Sequence, residues 1–284
     1  MPIEPLKSPH AWVSDLKFEK IGALRKVFKK GVVNPFANYF PAPLQKLALR
    51  LFGSELALSN WKDPGGWRSM VISYQDRRDR VADKVLCTLG TIPKALRNRR
   101  KLAARVIARL IDEVPHEPVH VLCLGAGPGH IINDALRESS RKAHATLVDL
   151  SAEAFDYGRR LAAEKGTADR TQFIQGDVCD VAARLDKPPD VVKMIGICEY
   201  LSDDLVTRIA RCISGVMKPG SAIVFNSISE AHGTDRFFRR VFGLKMIHRS
   251  PVELQKLMAA GGFGNFTSIP EPMGVYHVIV GWKG

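Results

Sequence analysis

The stretch Val119-His120-Val121-Leu122-Cys123-Leu124-Gly125-Ala126-Gly127-Pro128-Gly129 constrains this chain more than any other. A short apolar run of β-formers ends in glycines at alternate positions. A continuous apolar run of this length predicts a strand buried on both faces, as in a parallel sheet. Glycines beyond the strand end allow positive φ and let a ligand approach the backbone closely. A helix predicted over 130–138 directs its N-terminal amides at the same point. The pattern is a nucleotide-type binding loop. It lacks the third glycine of the dinucleotide fingerprint, because His130 stands there. No G-x-x-x-x-G-K-[ST] occurs, which excludes a P-loop.

The neighbouring strands extend the site. A second apolar run, 143–148, ends in Asp149. An ionised carboxylate there has two acceptor oxygens for the hydroxyls of a ribose. A third run, 172–175, leads into Gly176-Asp177-Val178. Its acid stands beside a strand tip where an adenine amino group can be met. A fourth, 190–195, ends in Gly196-Ile197-Cys198-Glu199-Tyr200-Leu201. Ligands of open α/β sheets bind beyond the carboxyl ends of the strands, so these four ends predict one site.

With these pieces in order the chain resembles the class I S-adenosylmethionine-dependent methyltransferases. The matching motifs are L-G-A-G-P-G at 124–129, V-D-L at 148–150, G-D-V at 176–178 and G-I-C-E-Y-L at 196–201. Met217-Lys218-Pro219-Gly220-Ser221 follows as a helix–turn–strand junction of that family. The resemblance covers roughly residues 116–284. It implies a Rossmann-like, doubly wound, mostly parallel seven-stranded sheet that ends in an antiparallel hairpin. It implies S-adenosylmethionine as cofactor, with Gly125, Gly127 and Gly129 at its methionine end, Asp149 on the ribose and Asp177 near the adenine. Leu124, Ala126, Leu150, Val178, Gly196 and Ile197 belong to the same motifs and are the further cofactor contacts it implies.

The end of the chain agrees. Predicted strands at 263–269 and 275–282 are joined by Pro270-Glu271-Pro272-Met273-Gly274, a hairpin link. So short a link requires an antiparallel pair. A hydrophobic content of 45% suffices for a buried core. The five cysteines form no C-x-x-C pair and no metal-ligand spacing, so no metal is expected. No apolar stretch reaches the roughly 20 residues of a membrane span, and the N-terminus lacks the apolar core of a signal peptide. A reducing cytoplasm is the expected compartment.

Charge divides the chain near residue 115. Residues 1–115 hold 22 Lys and Arg against 10 Asp and Glu, whereas residues 116–284 hold 20 against 19. This asymmetry predicts a basic, mostly helical N-terminal extension over 1–115 and the cofactor-binding domain over 116–284. Apolar residues at helical spacing predict an amphipathic basic helix over 17–30. A second helix is predicted over 43–52, with an aromatic turn at 34–41 between them. Two longer helices are predicted over 67–89 and 93–113. A basic amphipathic segment suits an anionic membrane surface, nucleic acid or plain solvent. Residues 15–52 are the segment through which a peripheral membrane contact is expected.

The fourth strand end bears on the acceptor. It carries neither N-P-P-Y nor D-P-P-Y, which disfavours amide or base amino nitrogens. Cys198 lacks a preceding proline, which argues against a cytosine-C5 nucleophile. Glu199 and Tyr200 are the candidate catalytic residues. Methyl transfer from a sulfonium depends mainly on positioning, and a base is needed only where the acceptor loses a proton. A looser resemblance, at Glu199–Asp204 and Ile247–Leu254, is to bacterial methyltransferases proposed to esterify hydroxy fatty acids. On that basis Arg239, Arg240, His248 and Arg249 are candidates for an anionic acceptor. The expected activity is methyl transfer to a small-molecule or amphipathic, lipid-like acceptor. An RNA methyltransferase and a catalytically silent cofactor-binding scaffold are the alternatives.

Overall fold

The computed structural model describes residues 9–75 and 80–284. Seven strands form one sheet: β1 (Val119–Leu124), β2 (Ala143–Asp149), β3 (Thr171–Gln175), β4 (Val191–Met194), β5 (Ala222–Ile228), β6 (Phe263–Pro270) and β7 (Tyr276–Lys283). Their order is β3-β2-β1-β4-β5-β7-β6. The first five are parallel, and β7 runs antiparallel to both β5 and β6. The order reverses between β1 and β4, the switch point at which open α/β sheets bind ligands.

Both faces are covered, which is why the central strands read as unbroken apolar runs. On one face the helices Thr91–Glu113 and His130–Glu138 pack Leu102, Ile107, Ile132 and Leu136 against Val121, Cys123 and Val224. On the other, Asp203–Val216 and Pro251–Ala260 pack Ile209, Ile213, Leu254 and Met258 against Leu122, Met194 and Phe225. Local chemistry sets the helix starts. Ser151, Ser202 and Ser250 each accept a backbone N–H of the first turn, and Ser250 forms a capping box with Glu253. The hairpin link is held by the buried Glu271 carboxylate, which accepts from Met273 N at 2.9 Å and Val275 N at 2.8 Å.

The helix Thr91–Glu113 shares the sheet's apolar core, so the change of charge near 115 falls inside one packed body. The N-terminal part departs from its sequence pattern in three places. Helix begins only at Ala23 rather than at 17. The preceding backbone is bonded to the long helix instead: Glu19 N donates to Asn98 Oδ1 at 2.8 Å, Asn98 Nδ2 donates to Glu19 O at 2.9 Å, and Glu19 pairs with Arg97. These tertiary partners satisfy the main chain and override local propensity.

The aromatic segment is a helix, Asn34–Tyr39, not a turn. Pro35 suits its first turn, and Asn38 bonds it to Gly233 O and Phe237 N. The helix expected over 67–89 is two helices, Trp67–Gln75 and Val81–Leu89, the second preceded by an extended Arg80; residues 76–79 of that expectation lie outside the described residues. Among the described residues no helix is long and apolar enough to cross a membrane.

Candidate functional site

The glycine loop lies at the switch point. Gly125, Gly127 and Gly129 all have positive φ, at 53°, 52° and 82°. The tight path turns the Gly127 amide onto the Asp149 carboxylate, with N to Oδ2 at 2.7 Å. Ser151 N donates to the other oxygen, Oδ1, at 2.9 Å. Asp149 therefore ties the loop to the end of β2. Behind the loop, Lys193 of β4 is buried and donates to Gly125 O at 3.4 Å. Burial pulls its ammonium below the usual lysine value.

These elements bound a cleft of about 250 Å³. Of the residues singled out in the sequence, Gly125, Ala126, Gly127, Gly129, Asp149, Gly196 and Ile197 line it together. Four other expected contacts do not line it. Leu124 is fully buried beneath the sheet face, and Leu150 points to solvent with 74% of its surface exposed. Asp177 caps the helix Val178–Ala182, accepting from Cys179 N at 2.8 Å, and Val178 packs into the core beside it.

The remaining wall comes from residues that sequence motifs do not mark. Trp67 and Tyr74, from the N-terminal helices, close over His130 and Tyr157. The ring centroids are 5.7 Å apart for Trp67–Tyr157, 5.6 Å for Tyr74–His130 and 5.8 Å for His130–Tyr157. Burial, helped by Arg100, pulls His130 down to about 3 and keeps its imidazole neutral.

Glu199 is buried rather than facing the cleft. Its Oε1 accepts from Arg99 Nη1 at 3.1 Å, and both side chains are almost fully enclosed. Arg99 lies 4.5 Å over the Tyr276 ring and donates to Tyr74 Oη at 3.3 Å. Burial opposes the charge on Arg99, but Tyr74, Tyr276 and Glu199 outweigh it and hold the guanidinium cationic. Glu199 Oε2 has no hydrogen-bond partner. Tyr200 lines both the cleft and a second cavity, with 39% of its surface exposed. The Cys198 thiol is buried and pushed up by that burial and then by Glu199, which suits a core residue and not a nucleophile.

The second cavity has a volume of about 600 Å³. It is enclosed by the N-terminal helices and by residues 234–246, with Leu49, Leu56, Ile92, Leu96, Phe237 and Phe242 in its wall. Gly65, Met70 and Tyr200 line both spaces and form the wall they share. Gly65 has φ +77°, and a Cβ on it would come within 2.7 Å of Tyr200 Oη. The contact is possible only with glycine, and Asn60 Oδ1 holds its amide at 3.1 Å.

The basic residues expected to meet an anionic acceptor have scaffold roles. Arg249 binds Asp203 and the carbonyls of Cys198 and Leu201. Arg239 binds Asp235 and Met246 O. Arg240 binds Asn38 O. His248 lies against His232.

Asp149→Ala is expected to weaken cofactor binding by about 1–3 kcal/mol, because it strands the Gly127 and Ser151 amides along with any ligand hydroxyl. Titration calorimetry with S-adenosylmethionine measures this directly, and unchanged affinity would show that the carboxylate serves only the loop.

Comparison with known proteins agrees with this geometry. A family model described as a methyltransferase domain matches residues 121–220. The tRNA 5-carboxymethoxyuridine methyltransferase of Escherichia coli (strain K12) is 29% identical over 161 residues, which is 56% of this chain. The match spans 59% of that relative's own length. Magnesium protoporphyrin IX methyltransferase from Synechocystis PCC 6803 shares the fold with a TM-score of 0.56 at 12% identity, over 84% of this chain and 99% of that one. N,N-8-amino-8-demethyl-D-riboflavin dimethyltransferase from Streptomyces davawensis gives 0.54 at 16% identity, over 82% and 71%.

Proposed function

We propose that this chain is an S-adenosylmethionine-dependent methyltransferase, a reading supported by the methyltransferase-domain match over residues 121–220, and that it methylates an apolar or amphipathic small molecule held in the 600 Å³ chamber. The observation that carries this reading is that the apolar chamber lies directly beside the glycine-loop cleft, with Gly65, Met70 and Tyr200 lining both. Cavities of this size with mostly apolar walls and a few polar groups are typical small-molecule sites.

The cleft residues suit the cofactor. Three left-handed glycines leave the loop backbone bare, and a carboxylate stands at the tip of β2. Gly125, Ala126, Gly127, Gly129 and Asp149 would hold it, with Gly196 and Ile197 opposite. When bound, the cofactor supplies an electrophilic methyl group on a sulfonium. The protein's part is to exclude water and to align the acceptor. Trp67, Tyr74 and Tyr200 provide the exclusion. Tyr200, which lines both spaces, provides an acceptor for a hydroxyl hydrogen between them. Lys29, in the chamber wall and bonded to Thr91 Oγ1, is a polar anchor for the far end of an acid. Burial, then Arg25, pulls Lys29 down to about 8.

The chamber opens onto an apolar, basic surface. Phe28, Val32, Phe36 and Phe52 line it and are each more than half exposed. Leu24 and Leu51 stand beside them at 86% and 74% exposure, among the exposed Lys26, Lys30 and Arg50. Contiguous exposed apolar surface of this kind marks an interaction site. This mouth supports a proposed peripheral contact with an anionic membrane through residues 15–52, which would deliver a lipid-like acceptor. Each Lys or Arg near such a surface contributes about 1 kcal/mol.

The tRNA-modifying relative and the basic N-terminal half favour a second reading, an RNA acceptor. One experiment separates them. The protein is incubated with methyl-labelled S-adenosylmethionine and, in parallel, with lipid extract, soluble metabolites and total RNA. Label in an organic-extractable product is the expected result. Label in RNA alone would overturn the small-molecule reading. Cofactor binding without label in any fraction would point to a silent scaffold. Flotation with neutral and anionic vesicles tests the surface: binding to anionic vesicles that persists at high salt indicates apolar insertion, since charge alone is screened beyond about 10 Å at 0.1 M.

A further inference from the structure

Beyond the methyl-transfer site, we infer that His232, Asp235 and His248 form a binding site for a tetrahedral divalent cation of the zinc type, at the joint between the β5 loop and the N-terminal helices. His232 ends the short turn Glu230–His232, Asp235 begins the helix Asp235–Phe237, and His248 lies on the extended segment that follows Phe242. Only the tertiary fold brings them together. One ligand atom from each lies within 4.8 Å of the other two.

The spacing fits the ion. Zinc–nitrogen bonds of about 2.0–2.1 Å in a tetrahedron put neighbouring ligand atoms about 3.3 Å apart. His232 Nε2 and His248 Nε2 face each other at 3.3 Å. Asp235 Oδ1 is 3.8 Å from His248 Nε2 and closes by a small side-chain rotation. That oxygen is buried and has no hydrogen-bond partner, an unexplained cost unless something occupies the space before it.

The surrounding groups orient the three ligands. Arg239 Nε donates to the other Asp235 oxygen at 2.5 Å and leaves Oδ1 free. The His232 Nδ1 lies 3.1 Å from Thr234 Oγ1, which accepts its hydrogen when Nε2 is given to a metal. The Thr234 amide, 3.2 Å away, donates to Nδ1 in the metal-free tautomer. The His248 Nδ1 lies 3.7 Å from Glu230 Oε1, a contact beyond hydrogen-bond distance that a rotation of the exposed Glu230 side chain would close. Metal-ligating histidines characteristically give their second nitrogen to such partners. Two imidazoles and one carboxylate select a zinc-type ion over magnesium or calcium, which take all-oxygen sets. A solvent molecule completes the fourth position.

The site would be a structural clasp. Thr234 and Phe238 flank it and line the chamber, and Asn38 of the N-terminal helices binds Gly233 O and Phe237 N beside it. A metal there fixes the chamber wall to the cap.

The test uses the full chain, stripped with chelator and titrated with Co²⁺ in place of Zn²⁺. The expected result is visible d–d absorption of tetrahedral intensity saturating near one equivalent, displaced by Zn²⁺, with a zinc-dependent rise in melting temperature. His248→Gln, at the outer edge of the site, is expected to weaken Co²⁺ binding at least tenfold while S-adenosylmethionine binding by calorimetry persists. Asp235→Asn, which keeps the Arg239 contact, is a second variant with the same expectation. A folded wild-type chain without the absorption at excess Co²⁺, or an unchanged spectrum in His248→Gln, would overturn the inference.

Discussion

Arg99→Leu is expected to lower the free energy of unfolding by about 3–5 kcal/mol, the cost of leaving a buried carboxylate without its partner. Glu199 is the group left behind. Its Oε1 loses the 3.1 Å bond, and its Oε2 already has none. The guanidinium stacked on Tyr276 and the bond to Tyr74 go with it. Those partners belong to the N-terminal helices, the fourth strand end and the hairpin, so the loss spreads over the junction of cleft and chamber. Urea unfolding followed by circular dichroism measures it. The double variant Arg99→Leu with Glu199→Leu is expected to recover most of the stability, since replacing both partners by apolar groups removes the stranded charge. A double variant as unstable as the single one would show that the cost lies in lost packing instead.

Gly127→Val is expected to reduce affinity for S-adenosylmethionine at least roughly tenfold, with the fold retained. A non-glycine residue held at positive φ costs about 1–3 kcal/mol, more for a β-branched side chain. Gly127 lies at φ +52°, and its amide is the donor to Asp149. An added Cβ meets only the Trp67 Cβ, at 3.7 Å, so the objection is conformational and the core is untouched. Gly125 makes a harsher substitution, because its Cβ would lie 2.3 Å from Ile197 Cγ2 and disturb the fourth strand end as well. Calorimetry on the folded variant gives the answer. Affinity equal to wild type would mean that the loop is a structural turn only.

The parts written in local sequence are the sheet and its loop. The helix expected over 130–138 is the helix observed, His130–Glu138, and the strands deviate by a residue or two at their ends. Burial on both faces forces an unbroken apolar run, and a left-handed turn forces glycine, so each signal needs only a few adjacent residues. The acid at the end of β2 is legible for the same reason. The path from Lys17 to Ile21 is not. Its apolar spacing is helical, yet Asn98 and Arg97, nearly eighty positions away, satisfy it in another conformation.

Likewise nothing near Glu199 announces Arg99, and nothing near Asp149 announces Trp67 as the roof over its loop. The trio His232, Asp235 and His248 has no metal-ligand spacing along the chain. Sequence by itself determined the central strands and the glycine cradle, because those rest on periodicity and backbone conformation. The tertiary structure alone decided which charges are buried in pairs, which aromatics wall the cleft and how large a chamber stands beside it. These depend on side chains far apart in sequence, whose meeting no local pattern encodes.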